Sequence, residues 1–428
     1  MVTTSCLAQT NTLSLDNAIG LALNNRYDLK IQKVNTQVSE KQQSEVVTRS
    51  LPQITSDLDM RYNSQLQTNI IPGSALGRPN SSDIPIKLGA KYNTTLAFNL
   101  NQPVYNPTNI SDRKISNLQA EYQRQNETIT EINIKQEVTE SYFSALLWKE
   151  KVKLSEENVK RATEIHQLNQ TLSGSGQVTS YDVQRSFIDL ENAKAVHEQN
   201  KKNYELSIND LLYKISTDSI KNPELSDHIT DLMARYEVTP SNTNQVERIE
   251  IRQEKIQSDI YKQNINKQNL LWFPTVSVYG NYTFQYLNSN FTPLDGNHWF
   301  PYNYIGLKAS IPIFDGGLKS KTAQEYQLRV KASNYRLAKL SNDYEQEVYS
   351  AQTNLDNTLS DLNYQKKNLE LIENLYSIDN DRFKNGTIKQ TDLNTTYYTM
   401  LQTQTNYTNA VYNYLIAVIR YKKSLGAL

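Results

Sequence analysis

Residues 108–171 and 318–383 contain neither proline nor glycine. At 1.5 Å per residue, ~65 helical residues make a rod of roughly 100 Å, far longer than the ~8–20-residue helix of a globular domain. In the second stretch Val348, Leu355, Leu362, Leu369, Tyr376 and Phe383 recur at every seventh residue. In the first, Val138, Ala145, Val152, Val159 and His166 stand 210 residues before their counterparts. A strict seven-residue seam predicts left-handed supercoiling against a partner helix. With only 13 glycines and 12 prolines in 428 residues, the composition favours long uninterrupted elements over disorder.

The 210-residue offset belongs to a wider duplication. Arg26-Tyr27-Asp28-Leu29-Lys30 has a counterpart in Arg248-Ile249-Glu250-Ile251-Arg252, and Leu51-Pro52-Gln53-Ile54 in Phe273-Pro274-Thr275-Val276, both 222 residues on. Gln102-Pro103-Val104-Tyr105 matches Ile311-Pro312-Ile313-Phe314 at an offset of 209, and Gly176 with Asp182 matches Gly386 with Asp392 at 210. The offset shrinks because the first strand pair has the longer connection. The order predicted for each half is helix, proline, strand pair, proline, long helix, Gly…Asp turn, helix. Residues 14–213 form the first repeat and 246–428 the second. Between them, 214–245 carries Asn222-Pro223 and Thr239-Pro240 and reads as a linker.

Period-two alternation marks the strands. Ile86, Leu88, Ala90, Tyr92, Thr94, Leu96, Phe98 and Leu100 alternate with Lys87, Gly89, Lys91, Asn93, Thr95, Ala97 and Asn99. Ile54, Leu58, Met60, Tyr62 and Leu66 alternate with Thr55, Asp57, Asp59, Arg61 and Asn63. In the second half Val276, Val278, Tyr282, Phe284 and Tyr286 share one face of a strand, and Ile305, Leu307, Ala309, Ile311 and Ile313 one face of the next. The predicted strands are 52–66, 86–102, 274–288 and 302–314, with loops over about 67–85 and 288–301. Each strand has an apolar face and a polar one.

The longest apolar run, Tyr414 to Ile419, is six residues, against the ~18 that a spanning helix needs. Membrane crossing would therefore require a closed barrel, because only helices and barrels satisfy the backbone in lipid. Four strands cannot close one, so the chain must oligomerise. A dimer would supply about eight strands and a side-chain-filled interior; a trimer would supply about twelve and room for a lumen. The polar faces, with Asp57, Asp59, Arg61, Lys87 and Lys91, suit a wet lumen, and the apolar faces suit lipid. The rival is a half-buried soluble sheet in a periplasmic coiled-coil scaffold without a channel.

Other classes find no support. Forty-five basic residues balance 45 acidic ones, so no basic field invites nucleic acid. Cys6 is the only cysteine, which excludes an intrachain disulfide. Residues 1–13 read as an N-terminal extension carrying the end of an export signal, cut after Ala8 of Val2-Thr3-Thr4-Ser5-Cys6-Leu7-Ala8; acylation of Cys6 is the alternative. The histidines, His166, His197, His228 and His298, lack metal-ligand spacing. Gly174-Ser175-Gly176 lacks the third glycine and the preceding strand of a nucleotide loop. No catalytic, cofactor or metal site is predicted.

Taken in order, the Leu51-Pro52 strand entry, the Gln102-Pro103 strand exit, the long helix and Gly176…Asp182-Val183, all present twice, resemble the TolC-like outer-membrane efflux/export channels. The ending, Ala410-Val411-Tyr412-Asn413-Tyr414-Leu415-Ile416 and then Lys423-Ser424-Leu425-Gly426-Ala427-Leu428, is similar to the family's own. The resemblance spans about 15–428. It implies an α+β membrane protein: a homotrimer with a twelve-stranded β-barrel, four strands per protomer, continued by an α-helical coiled-coil tunnel through the periplasm. It places 214–245 in the equatorial belt of that tunnel. It also implies a periplasmic adaptor and an inner-membrane pump as partners, in efflux or type I secretion.

In the family the helix-turn-helix tips close the periplasmic end and meet the adaptor. Here they are 172–183 and 383–393, with Gly174, Gly176, Val183, Phe383, Gly386 and Leu393 as the expected contacts. Two readings of Asp182 and Asp392 stand side by side. Each lies near a helix start, where the dipole favours an anion, and each would form a carboxylate ring under threefold symmetry. Where well-known members have a second acidic residue, this chain has Thr395; where they have a gate arginine, it has Ile388, with Lys389 next to it as a substitute. One strong ring, at Asp392, is therefore expected, with Asp182 contacting a neighbouring helix through Lys389.

Overall fold

A computed structural model describes residues 12–72, 82–176, 178–217, 223–236, 247–385 and 387–428. In chain order the elements are β1 (Thr12–Leu13), α1 (Leu15–Asn25), α2 (Tyr27–Thr48), β2 (Gln53–Tyr62), β3 (Thr68–Ile71), β4 (Ile84–Lys87), β5 (Tyr92–Tyr105), α3 (Thr108–Gly174) and α4 (Ser180–Ile215). Then come β6 (Glu224–Leu225), α5 (Ile229–Arg235), α6 (Ile249–Leu270), β7 (Thr275–Asn288), β8 (Trp299–Ser310), α7 (Leu318–Lys384) and α8 (Gln390–Ser424). Both breaker-free stretches are single helices of 67 residues. The helices α2 and α6 also agree in length, at 22 residues each. Contacts divide the chain into two compact units.

The first unit comprises Met1–Gln37, Tyr122–Lys255 and Asn334–Leu428. Its core gathers Leu15, Ala18 and Ala22 of α1, Ile134, Val138, Tyr142 and Phe143 of α3, Leu211 and Ile215 of α4, and Leu415, Val418 and Ile419 of α8. Part of the heptad seam lies inside it: Val138 and Ala145 are fully buried, and Leu355 and Leu362 nearly so. Strand β1 pairs in parallel with β6, and Leu232 of α5 joins the same core. One side-chain cluster seals this junction. The Tyr142 hydroxyl lies 2.9 Å from the Leu13 carbonyl and 2.7 Å from the Asp227 carboxylate, which also accepts the Leu15 N–H at 2.7 Å. Burial first, then the hydrogen bond to Asp227 and its charge, push the Tyr142 phenol up, so it stays a donor.

The second unit comprises Val38–Glu121 and Ile256–Ser333. Its sheet is antiparallel in the order β2-β5-β7-β8, so the two hairpins meet through β5 and β7. The register unites the apolar faces read from sequence: Ile54 pairs with Leu100, Phe98 with Tyr282, Leu96 with Phe284, and Val278 with Leu307. The opposite face is hydrogen-bonded across strands. Asn99 donates to Asp57 at 2.7 Å, Asn281 to Asn99 at 2.7 Å, and Gln285 to Asn93 at 3.2 Å.

Four expectations need correction. The run 86–102 is not one strand: β4 ends at Lys87 and β5 starts at Tyr92, because Gly89 takes φ +125°, which breaks the pleat and suits only glycine. The connection 67–85 is not all loop, since β3 pairs with β4; Lys87 and Lys91 thus lie outside the main sheet. Strand β2 stops at Tyr62 and β8 runs Trp299–Ser310, leaving Ile311 and Ile313 beyond it. The linker carries regular structure, since α4 extends to Ile215 and β6 and α5 follow. Cys6 and the remainder of 1–11 lie outside the described residues.

Candidate functional site

Both helix-turn-helix tips lie in the first unit and are built from backbone outward. Gly174 is the last residue of α3, and Gly176 sits beyond it at φ +75°, a left-handed conformation that ends a helix at no steric cost for glycine. The N–H groups of Ser175 and Gly176 bond to the carbonyls of Leu172 and Ser173 at 3.2 and 3.1 Å. At the other tip the Thr387 N–H and hydroxyl both donate to the Arg382 carbonyl at 2.9 Å. Gly386 lies outside the described residues.

The two aspartates occupy equivalent places. Asp182 is the third residue of α4, and its carboxylate accepts from the Thr179 backbone N–H at 3.1 Å and hydroxyl at 2.7 Å. In return the Thr179 hydroxyl oxygen accepts the Asp182 N–H at 3.3 Å, completing a capping box. The bonds from Thr179 hold the Asp182 carboxyl below the usual carboxylate range. Asp392 is the third residue of α8 and accepts from the Lys389 N–H at 3.4 Å. A lysine side chain only donates, so this box is one-sided and Asp392 is the less committed carboxylate.

The expected contact of Asp182 with Lys389 is replaced by the local Thr179 cap, and no ion pair joins the two among the described residues. A hydroxyl three residues away on the same turn costs less chain entropy than a distant lysine. Asp392, Lys389 and Thr395 are exposed, and the Thr395 hydroxyl is spent on the Thr391 carbonyl at 2.9 Å. Phe383 and Val183 are half-buried. Leu393 is 5% exposed, so it packs inside the tip and is no docking contact within the chain.

Sequence reading missed three arrangements. Arg161 of α3 lies between two rings, 4.2 Å from the Tyr376 centroid on α7 and 4.0 Å from Tyr397 on α8, while the Tyr397 hydroxyl donates to Asn158 at 3.0 Å. That contact ties the tip helices to α3. Secondly, Arg26 bridges Asp28 and Glu137 of α3, both at 2.6 Å. Arg248 bridges Glu250 and Glu347 of α7 in the same way, at 2.9 and 2.8 Å. The duplicated Arg-x-[Asp/Glu] was the legible half of this clamp. Thirdly, Phe300, Tyr302 and Tyr304 fall on the polar face of the sheet, at alternate positions opposite in parity to Ile305 and Leu307.

The comparisons with known proteins agree with this architecture. The profile of the family described as outer membrane efflux protein matches residues 18–213 and 242–427. Among solved structures the chain is similar to CusC, at 14% identity and a TM-score of 0.77, covering 96% of this chain and 91% of that one. It is similar to the Campylobacter jejuni CmeC outer membrane channel, at 15% identity and a TM-score of 0.71, over 96% of this chain and 85% of that one. It is also similar to the outer membrane protein VceC from Vibrio cholerae, at 13% identity and a TM-score of 0.72, over 96% of each chain. No curated protein matches the sequence.

Proposed function

This chain belongs to the outer membrane efflux protein family, and on that premise we propose that three copies assemble one outer-membrane export duct. The single observation that carries the trimer is the open sheet with an exposed apolar face. Ile54, Leu58, Met60, Phe98, Tyr282, Ile305 and Leu307 are between 42% and 77% exposed. Burying such a side chain fully gains roughly 1.5–3 kcal/mol, and each still has about half or more of that to gain. Strands β2 and β8 are the sheet's edges, and in lipid each unpaired edge group costs several kcal/mol. Pairing β8 of one copy with β2 of the next removes both edges, and three copies make twelve strands with the polar faces inward. No helix among the described residues is long and apolar enough to cross a membrane, so the sheet takes the lipid contact.

The two 67-residue helices support an internal twofold repeat, with 14–213 and 246–428 as its halves. In this reading the helices line a periplasmic tunnel. The tips at 172–183 and 383–393, with Gly176 ending its helix, dock a periplasmic adaptor that links the duct to an inner-membrane pump. Asp392 forms the carboxylate ring at the entrance. The test is intact mass in mild detergent after outer-membrane fractionation: a trimer is expected, and a monomer or dimer overturns the assembly.

A further inference from the structure

The polar face of the sheet departs from its own pattern on one strand. Its residues form rows across β2, β5, β7 and β8: Thr55, Asn99, Asn281 and Tyr304; Asp57, Ala97, Thr283 and Tyr302; Asp59, Thr95, Gln285 and Phe300. In each row the first three members are small or polar and the fourth is aromatic. The polar members satisfy one another, as in the Asn99–Asp57 and Asn281–Asn99 bonds, with Thr283 donating to Asn281 at 2.6 Å. Phe300, Tyr302 and Tyr304 are 50%, 47% and 51% exposed. Tyr279, on the same face, packs edge-on against Tyr304 with centroids 6.0 Å apart and lies across Gly306, where a Cβ would meet its ring at 2.7 Å. The stripe therefore stands on a built base.

Three half-exposed rings on a face meant for water need a partner, and the charges nearby indicate its sign. Asp59 is neutralised by Arg61 at 2.8 Å. Asp57 is bonded by the neutral Asn99 amide and has no ion-pair partner among the described residues; it stands on β2, three strands from Tyr302 in its own sheet, so only the β2 of the next copy brings it to the rings. Lys308 shares the face four residues beyond Tyr304, at the end of the stripe away from Phe300 and Tyr302. Ring faces attract cations through their quadrupole, and a carboxylate adds to that attraction.

We propose that Phe300, Tyr302 and Tyr304, with Asp57 supplied by the next copy across the β8–β2 seam, form a cargo-contacting stripe on the duct wall that binds aromatic organic ammonium ions. The proposal rests on the trimeric-duct reading. The apolar part of the ion lies on the rings, and its charge is shared between ring faces and carboxylate.

The experiment is block of single trimers in planar bilayers by phenyltrimethylammonium, with benzenesulfonate as an anion of similar size. Phenyltrimethylammonium is expected to reduce the current and benzenesulfonate not to. In the triple variant Phe300→Leu, Tyr302→Leu, Tyr304→Leu, which keeps apolar surface but removes the rings, the blocking concentration should rise about tenfold. Asp57→Asn should raise it about threefold. Equal block by both ions, or block unchanged in the triple variant, overturns the stripe; the second result means that the neighbouring copy covers the rings. Trimer mass and unit conductance are measured on the same samples. Loss of either in the wild-type protein counts against the duct, whereas a conducting trimer with ring-independent block counts against the stripe alone.

Discussion

At the scale of single residues, the two arginine clamps carry more than any catalytic-looking group. Arg248 is 10% exposed, bridges Glu250 and Glu347, and lies 3.9 Å from the Tyr344 ring centroid. Removing it leaves two carboxylates without their donor. Charged hydrogen bonds contribute ~1.5–3 kcal/mol, less where a partner is solvated as Glu347 is. Arg248→Ala should therefore lower stability by about 2 kcal/mol, read by thermal denaturation in detergent. Arg248→Lys should recover less than half, because an ammonium lacks the planar guanidinium fork that spans both carboxylates and stacks on the ring. A full recovery would refute the clamp geometry. Acid tests the same contacts. Burial raises the Asp28 and Glu250 carboxyls, but the hydrogen bonds and charge of Arg26 and Arg248 more than offset this and hold both below the usual range. Depressed carboxyls stabilise above their unfolded pKa of about 4, and that stability is lost as pH falls through the lower folded values. The wild type should weaken as pH falls below about 4, and Arg248→Ala, with one clamp already gone, should weaken less over the same range.

At the scale of elements, periodicity located the rods and strands, and special backbone positions decided where they end. The seven-residue seam was legible because burial repeats with the helix: Val138, Ala145, Leu355 and Leu362 are all buried. The division between β4 and β5 was not, because alternation continues through Leu88 and Ala90 and only the φ of Gly89 interrupts it. Gly176 is the corresponding device at the tip. Gly176→Val puts a β-branched residue at φ +75° and should cost about 1–2 kcal/mol locally while leaving the long helices intact. The expected outcome is impaired cargo export from cells with an unchanged trimer mass. Normal export would mean that the tip conformation is dispensable for docking.

At the scale of the whole molecule, the question is which aspartate the current meets. Under threefold symmetry Asp392 becomes three carboxylates, and like charges within ~8 Å of one another favour a cation between them. Asp182 is already engaged by Thr179. Reversal potentials in planar bilayers should therefore show cation preference that falls in Asp392→Asn and changes less in Asp182→Asn. If selectivity is the same in Asp392→Asn, that residue is a helix-start carboxylate and nothing more. The departures at Ile388 and Thr395 fit a gate with one acidic ring, because the Thr395 hydroxyl turns back to its own helix.

The sequence by itself determined what depends on neighbours a few residues apart: the length of α3 and α7, the two faces of each strand, the prolines that bracket them, and the doubled Gly…Asp turn. Only the tertiary structure decided which distant groups meet. It joined the hairpins through β5 and β7, drew Glu137 to Arg26 and Glu347 to Arg248, and set Asp227 against Tyr142. It also put Phe300, Tyr302 and Tyr304 in rows with Asp57 and Asn99. Periodicity is a local signal, since it reports which side of an element is buried. Pairing between residues far apart in the chain is set by loop closure, register and the complementarity of side chains that no single stretch of sequence contains.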